Sequence, residues 1–314
     1  MILARPDRIL RAGGRRMRLG GEPLLMGIVN ASPDSFSDAG ELPGTAARIA
    51  RAHALAAAGA RIVDVGGETA RGGLEPVAIE EEIARVVPIV EAVARELDVL
   101  VSVDTYKPEV AEAAIAAGAQ IVNDVSCLRD PRLAELCAGT GAALVLMHTR
   151  VPPKGTLLDP AQYDDVVADV RAGLADAVAR AEAAGVHPEQ LLLDPGPDFA
   201  KTPAQTVAVL RRLEVLHDLG RPLLLALSRK DFLGAITGRG PRERGPATLA
   251  AVGWAAGAGA HVLRLHDVAA ASDFLAVRAV LDGARELEPD AGLTPERYPD
   301  GVLPPSVRPG GYPG

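Results

Sequence analysis

Aromatic residues are scarce in this chain: four Phe, four Tyr and one Trp make up 3% of 314 residues. A core must therefore be built from Leu, Val, Ile and Ala, the branched and small aliphatics that suit the interior layers of a parallel barrel. Cysteine is nearly absent. Cys127 and Cys137 lie ten residues apart, with no CxxC pair and no Cys/His ligand spacing, which argues against a disulfide scaffold or a cysteine-bound metal. No uninterrupted apolar run reaches the roughly 18 residues of a membrane helix. Positive charge is in deficit, with 33 Lys and Arg against 41 Asp and Glu for a net charge of −8. A broad nucleic-acid surface or an anionic-membrane surface is not expected of such a chain. The first 18 residues hold six arginines but neither the apolar core of a signal peptide nor the Ser-rich helix of a transit peptide. The expected location is the cytoplasm.

What the chain does have is hydrophobicity, at 48% of residues, enough to exclude disorder over most of its length. That hydrophobicity is arranged in eight short apolar runs at helix-sized intervals, each stopping on polar residues. Leu24–Val29 ends at Asn30, Arg61–Val65 at Gly66-Gly67-Glu68, Val99–Val103 at Asp104, and Gln120–Val122 at Asn123-Asp124. Ala143–Met147 ends at His148, Gln190–Leu193 at Asp194, Leu223–Leu227 at Ser228-Arg229-Lys230, and His261–Leu265 at His266. Between them lie alanine-rich stretches with apolar residues three and four apart: 45–58, 79–97, 108–117, 131–139, 161–184, 203–219, 243–258 and 268–287; this spacing marks amphipathic helices. Gly59, Gly118, Gly141, Gly185, Gly220 and Gly259 follow helices, where a left-handed closing residue is wanted. Eight strand–helix alternations predict a closed (β/α)8 barrel, or TIM barrel, over 23–288. Residues 1–22 read as a β-hairpin around Gly13-Gly14 capping the barrel floor as part of the same domain. From 289 to 314 the chain turns Pro/Gly-rich without periodicity and is expected to be disordered.

In such a barrel the chemistry lies where the strands end. Asn30 opens a loop of one amide, three hydroxyls and two carboxylates. It reads either as a Mg2+ ligand, since that ion prefers oxygen, or as an Asx turn serving its own backbone. Arg71 sits among glycines, suiting either a mobile guanidinium offered to an anion or a solvated turn. Asp104, Asn123 and Asp194 end three strands, so their side chains are expected to share the mouth. A carboxylate there suits a heterocycle bearing an N–H beside an exocyclic amine, held in bidentate fashion, with Asp194 the candidate for that bond. Ser228-Arg229-Lys230 and Arg264-Leu265-His266 place positive charge at the seventh and eighth strands, the usual phosphate corner of a barrel. Arg264 and His266, two apart on a strand, are expected to share a face as a pair of cations. His148 is assigned to the wall, and His53, His187, His217 and His261 to structural roles. No cysteine or activated serine stands out as a nucleophile, which favours direct displacement at carbon over covalent catalysis.

With these residues in place the chain resembles the dihydropteroate synthase family from about Pro23 to Leu287. The segments carrying the likeness are Met26-Gly27-Ile28-Val29-Asn30-Ala31-Ser32-Pro33-Asp34-Ser35-Phe36-Ser37-Asp38, Val63-Asp64-Val65-Gly66-Gly67-Glu68 and Ser102-Val103-Asp104-Thr105. Asn123-Asp124, Asp194-Pro195-Gly196, Ser228-Arg229-Lys230 and Arg264-Leu265-His266-Asp267-Val268 follow in the same order. The resemblance implies condensation of 6-hydroxymethyl-7,8-dihydropterin pyrophosphate with p-aminobenzoate, giving 7,8-dihydropteroate and pyrophosphate with Mg2+ as cofactor. It implies a pterin site at Asp104, Asn123, Asp194 and Lys230 with Arg264 stacked on the ring. Pyrophosphate would fall to Asn30 with Mg2+, Arg71, Arg264 and His266, and p-aminobenzoate to Phe36, Arg71, Phe199, Lys230 and Ser228. Met147 joins the binding residues, and Asp104, Lys230 and Arg71 are expected to carry most of the catalysis. A helix-packed homodimer is implied as well.

Several positions depart from the family pattern. Ala70 replaces a hydroxyl, Gly72 a proline and Ala226 a glycine. The stretch after His148 lacks the usual residues. Asp198 and Ala200 flank Phe199 where glycines are usual, so Asp198 is expected to put negative charge near the benzoate entrance. These departures leave open a paralogue with weak activity or another amine acceptor. A methyltetrahydrofolate-binding corrinoid methyltransferase barrel and a non-enzymatic pterin sensor are further alternatives.

Overall fold

The computed structural model describes residues 6–32, 44–69, 73, 75–288 and 291–292. The chain divides into a large unit, Met1–Phe274, and a small one, Leu275–Gly314. The large unit holds every strand among the described residues. Strands β1 (Arg8–Ala12) and β2 (Arg15–Leu19) form the expected antiparallel hairpin, with Arg8 opposite Leu19. Its turn residues Gly13 and Gly14 both have positive φ, 53° and 82°, the primed-turn geometry that matches strand twist.

The eight apolar runs form the strands β3 (Leu24–Asn30), β4 (Ile62–Gly66), β5 (Leu100–Asp104), β6 (Ile121–Asp124), β7 (Ala143–Met147), β8 (Leu191–Asp194), β9 (Leu224–Leu225) and β10 (Val262–Leu265). All neighbours are parallel, in the order β8-β7-β6-β5-β4-β3-β10-β9, and Leu193 bridges Leu223 to bring the two ends together. The expected TIM barrel is borne out. Strand β9 is shorter than its apolar run suggests. Leu223 already pairs with β8 while Leu224 and Leu225 pair with β10, and past Leu225 the chain leaves the ladder on its way to Ser228-Arg229-Lys230.

Hairpin and barrel share one core. Leu10, Ala12 and Leu19 bury against Met26, Ile62, Leu100, Ile121, Ala143, Leu192, Leu224 and Val262, residues near the amino ends of the strands. The hairpin therefore plugs the floor, as its sequence suggested, and leaves the opposite face to the loops.

The helices are α1 (Thr45–Ala57), α2 (Ile79–Glu96), α3 (Pro108–Ala116), α4 (Arg132–Thr140), α5 (Val166–Ala183), α6 (Pro203–Leu210), α7 (Glu214–His217), α8 (Asp231–Thr237), α9 (Gly245–Gly257) and α10 (Val268–Leu281). The six glycines expected to close helices all have positive φ. Four stretches differ from the pattern reading. The last helix ends at Leu281 rather than at residue 287. Helix α5 starts at Val166 rather than at residue 161, because Asp165 accepts from the N–H groups of Val167 and Ala168 and so sets the N-cap. The stretch 203–219 splits into α6 and α7, where Arg212 and Leu213 bond three residues back, to Val209 and Leu210, tightening the turn. Helix α8 was not anticipated, since seven residues are too few to show a period. The small unit begins inside α10, and its expected disordered tail, apart from 291–292, lies outside the described residues.

Candidate active site

Carboxylates from two strands meet one guanidinium on a third. Arg264 of β10 donates from Nε to Asp64 Oδ2 at 2.6 Å and from Nη2 to Asp104 Oδ2 at 2.6 Å. Asn123 Nδ2 donates to the same Asp64 oxygen at 3.3 Å. Strand register makes this possible: Asp64 lies beside Ser102, and Asp104 beside Asn123. Burial is the main force raising the Asp104 pKa to about 7, with Arg264 opposing it and Asp64 adding to it. Asp64 is fully buried, and its Oδ1 has no hydrogen-bond partner among the described residues. It was missed as a site residue. The signal was present, as a carboxylate between Val63 and Val65 can sit inside a barrel strand only with a cation beside it.

Asp194 ends β8 opposite Met147, and both are buried. Its Oδ1 accepts the Gly196 N–H at 2.7 Å. Burial raises its pKa, while that hydrogen bond and the charges of Lys230, Lys201 and Arg264 pull it back. Lys230 also acts on Asp104, so the two acids share one electrostatic neighbourhood. Lys230 Nζ lies 4.3 Å from the centroid of the Phe199 ring. Burial lowers its pKa, and Asp198 and Asp194 restrain the fall.

The pair of cations expected at β10 is corrected. His266 is a neutral imidazole: burial, reinforced by Arg229, Arg264, Arg51 and Lys230, pushes its pKa down to about 3. Nor does it share a target with Arg264. Its Nδ1 lies 2.9 Å from Ser228 Oγ, which also accepts the His266 N–H at 3.3 Å. With that lone pair engaged, the hydroxyl can give its proton to Nδ1, leaving Nε2–H as a neutral donor. Arg51, a residue the sequence reading passed over, donates to the His266 carbonyl at 2.5 Å. The positive charge of this corner thus rests on arginines and Lys230.

The Asp198 carboxylate is hydrogen-bonded to two other segments. Oδ2 accepts the backbone N–H of Asp231 at 2.6 Å and of Phe232 at 3.3 Å, while Oδ1 accepts the Thr206 hydroxyl at 3.2 Å. Asp198 and Ala200 have φ of 64° and 48°, a region glycine enters freely and other residues enter at a cost. The carbonyls around Phe199 hold that shape. Lys201 Nζ donates to His148, Gly196 and Phe199 at 3.2, 3.1 and 3.0 Å, and Tyr163 OH donates to Ala200 at 2.9 Å. His148 is a wall residue, as expected: it bonds Asp169 at 3.1 Å, and burial lowers its pKa to about 4.

Arg71, Phe36, Ala70 and Gly72 lie outside the described residues. The base of the segment carrying Arg71 is nevertheless well defined. Lys107 Nζ contacts Glu68 at 2.7 Å and Glu82 at 2.5 Å, and Lys154 Nζ contacts Glu68 at 3.0 Å. Lys154 also donates to the Thr69 carbonyl and accepts the Gly73 N–H on its own carbonyl. Asn30 ends β3, half-buried, beside Gly66. Among the described residues no group of three or more His, Cys, Asp or Glu could hold a metal.

Comparison with known proteins agrees with this geometry. A family model described as "Pterin binding enzyme" matches residues 26–266. The dihydropteroate synthase of Escherichia coli (strain K12) is 44% identical over 246 residues, 78% of this chain and 87% of that protein. A Xanthomonas albilineans dihydropteroate synthase solved with 4-aminobenzoic acid superposes with a TM-score of 0.81 at 42% identity, over 88% of this chain and 99% of that one. A Burkholderia cenocepacia dihydropteroate synthase complexed with 7,8-dihydropteroate superposes with a TM-score of 0.79 at 38% identity, over 88% and 97%.

Proposed function

Because the chain belongs to the dihydropteroate synthase family of pterin-binding enzymes, we infer that it is a transferase of folate synthesis. It joins 6-hydroxymethyl-7,8-dihydropterin pyrophosphate to p-aminobenzoate and releases pyrophosphate. The observation that carries this reading is the guanidinium of Arg264 held by Asp64, inside β4, and Asp104, at the end of β5. It leaves a flat cationic face beside acidic and amide acceptors, which suits a ring rich in N–H groups.

The pterin edge falls to Asp104, Asn123 and Asp194, with Met147 as an apolar wall and Arg264 as the stacking plane. Arg264, Lys230, Arg71 and the neutral Nε2–H of His266 stabilise charge as pyrophosphate departs. The positive charge left on the pterin methylene spreads into a ring flanked by Asp104 and Asp194. The aniline nitrogen is a weak nucleophile that needs orientation more than a base. Phe36, Phe199, Ser228 and Lys230 supply that orientation, with Arg71 for the benzoate carboxylate. The donor set fits Mg2+ brought in on the pyrophosphate: one amide oxygen, Asn30, with the remaining positions left to phosphate and water. Bound there, the ion would neutralise leaving-group charge.

The protein is placed in the cytoplasm, in keeping with its two free cysteines; no described helix is long and apolar enough to cross a membrane. A homodimer is supported by an apolar face on α8 and α9, where Ile236 is 67% and Trp254 42% exposed beside Phe232 and Leu233.

The test is pyrophosphate release from the pterin substrate with and without p-aminobenzoate, at several Mg2+ concentrations. Release that needs the amine and the metal supports the reading. Release without amine, or none at all, refutes it.

A further inference from the structure

Lysine cannot cap a helix, yet Lys230 stands at the N-cap of α8 with no side-chain cap of its own. The first N–H groups of a helix need an acceptor from somewhere. Here the acceptor comes from another loop, 33 residues upstream: Asp198 Oδ2 takes the N–H of Asp231 at 2.6 Å and that of Phe232 at 3.3 Å. The same residue is tied to α6, its N–H donating to Thr206 Oγ1 at 3.0 Å. Its chain neighbour is Phe199, whose ring receives Lys230 Nζ at 4.3 Å.

We propose that Asp198 is a positioning residue: by capping α8 from the loop after β8 it locks Phe199 and Lys230 together as one unit at the barrel mouth. The inference rests on the reaction assigned above. A cap supplied in trans leaves the Lys230 ammonium free for the site. It also ties the backbone just after Lys230 to the loop presenting the aromatic ring, so the cation–ring distance is constrained by two carboxylate–amide bonds as well as by the side chains themselves. A carboxylate is suited to the task because its negative charge lies at the positive end of α8 and near the half-buried Lys230. It accounts for a non-glycine residue at φ 64°, a conformation that ordinary side chains enter at a cost. Further anchors of the Lys230 segment come from the other side. Arg244 Nη1 bonds the Arg229 carbonyl at 2.9 Å and Asp231 at 2.8 Å, and the Arg229 N–H bonds Thr248 at 3.1 Å. Loss of Asp198 therefore frees one side of the segment without unfolding it.

The experiment compares Asp198→Gly, which relieves the backbone and removes the cap, with Asp198→Asn, which tolerates the same φ and keeps an acceptor. Steady-state constants at 25 °C are measured with p-aminobenzoate and the pterin pyrophosphate, beside amide hydrogen exchange of 229–233 in the free enzyme. The expected result for Asp198→Gly is a rise of roughly tenfold in KM for p-aminobenzoate, a fall in kcat and faster exchange at Asp231 and Phe232. Asp198→Asn should stay within about threefold of the parent in all three. A glycine variant with a lower Tm but parental KM and kcat would make the cap structural only and overturn the proposal. Unchanged exchange at Asp231 and Phe232 would overturn it too, whatever the kinetics. A parent enzyme releasing no pyrophosphate would refute the reaction instead, and the exchange comparison would still decide the tether.

Discussion

Arg264 and Asp64 meet at 2.6 Å across the barrel mouth although 200 residues separate them in the chain. The bond gives Asp64 a reason to be buried in the middle of β4 and turns the guanidinium edge-on, so that its second arm reaches Asp104. The three side chains behave as one unit whose charges are mutually necessary.

Removing the cation from that unit should be costly. Arg264→Met leaves the buried Asp64 and the half-buried Asp104 without their counter-charge, and losing one partner of a buried ion pair costs about 3–5 kcal/mol. Urea denaturation should show a loss of that order, and calorimetry should show no pterin binding. Arg264→Lys should not rescue binding, since an ammonium cannot bridge two acceptors in a plane. Parental affinity in the lysine variant would contradict the stacking role.

The charge state of Asp104 should couple binding to pH. Its pKa is raised from 3.8 to about 7, so the folded protein favours the protonated acid. Its contribution to stability is therefore complete below about pH 3.8, declines as pH rises, and is lost above about pH 7. A ring that donates N–H groups needs the carboxylate. Binding of the pterin pyrophosphate at pH 6 should thus release a proton, and affinity should climb with pH and level off above about 7. Calorimetry at pH 6 in buffers of different ionisation enthalpy measures the proton, and Asp104→Asn should abolish it. Buffer-independent heats in the parent would contradict the assignment.

Lys154 anchors the segment that carries Arg71 through Glu68, and both side chains are nearly buried. Lys154→Met leaves Glu68 with Lys107 as its remaining cation, so the stability loss should be modest, about 1–3 kcal/mol. The functional loss should be larger. Turnover is expected to drop roughly tenfold, with pterin affinity within about threefold of the parent, because Asp104, Asn123 and Asp194 are untouched. Equal losses in turnover and pterin affinity would show that Lys154 does not act through Arg71.

The proposed homodimer would have an internal reporter, because Trp254 is the chain's one tryptophan and lies on the apolar face. Dilution through the dissociation range should red-shift its emission, and sedimentation should give twice the monomer mass above that range. Ile236→Glu should give the monomer at all concentrations. A monomeric parent at tens of micromolar would remove the proposal.

Periodicity and punctuation in the sequence determined the barrel, its floor hairpin and the strand ends on which Asp104, Asn123, Asp194, Lys230 and Arg264 sit. These are local properties: a two-residue or 3.6-residue repeat, a glycine closing a turn, a polar residue stopping an apolar run. The tertiary structure decided which of those side chains meet and in what charge state. The sequence reading left Asp64 out of the site because its partner is on the last strand of the barrel. It expected a cationic His266, which burial among arginines makes neutral. It expected Asp198 near the benzoate entrance, and only the fold shows that this carboxylate also caps the first turn of α8. Pairing and protonation depend on distance and dielectric, and these exist only once eight strands have closed into a ring.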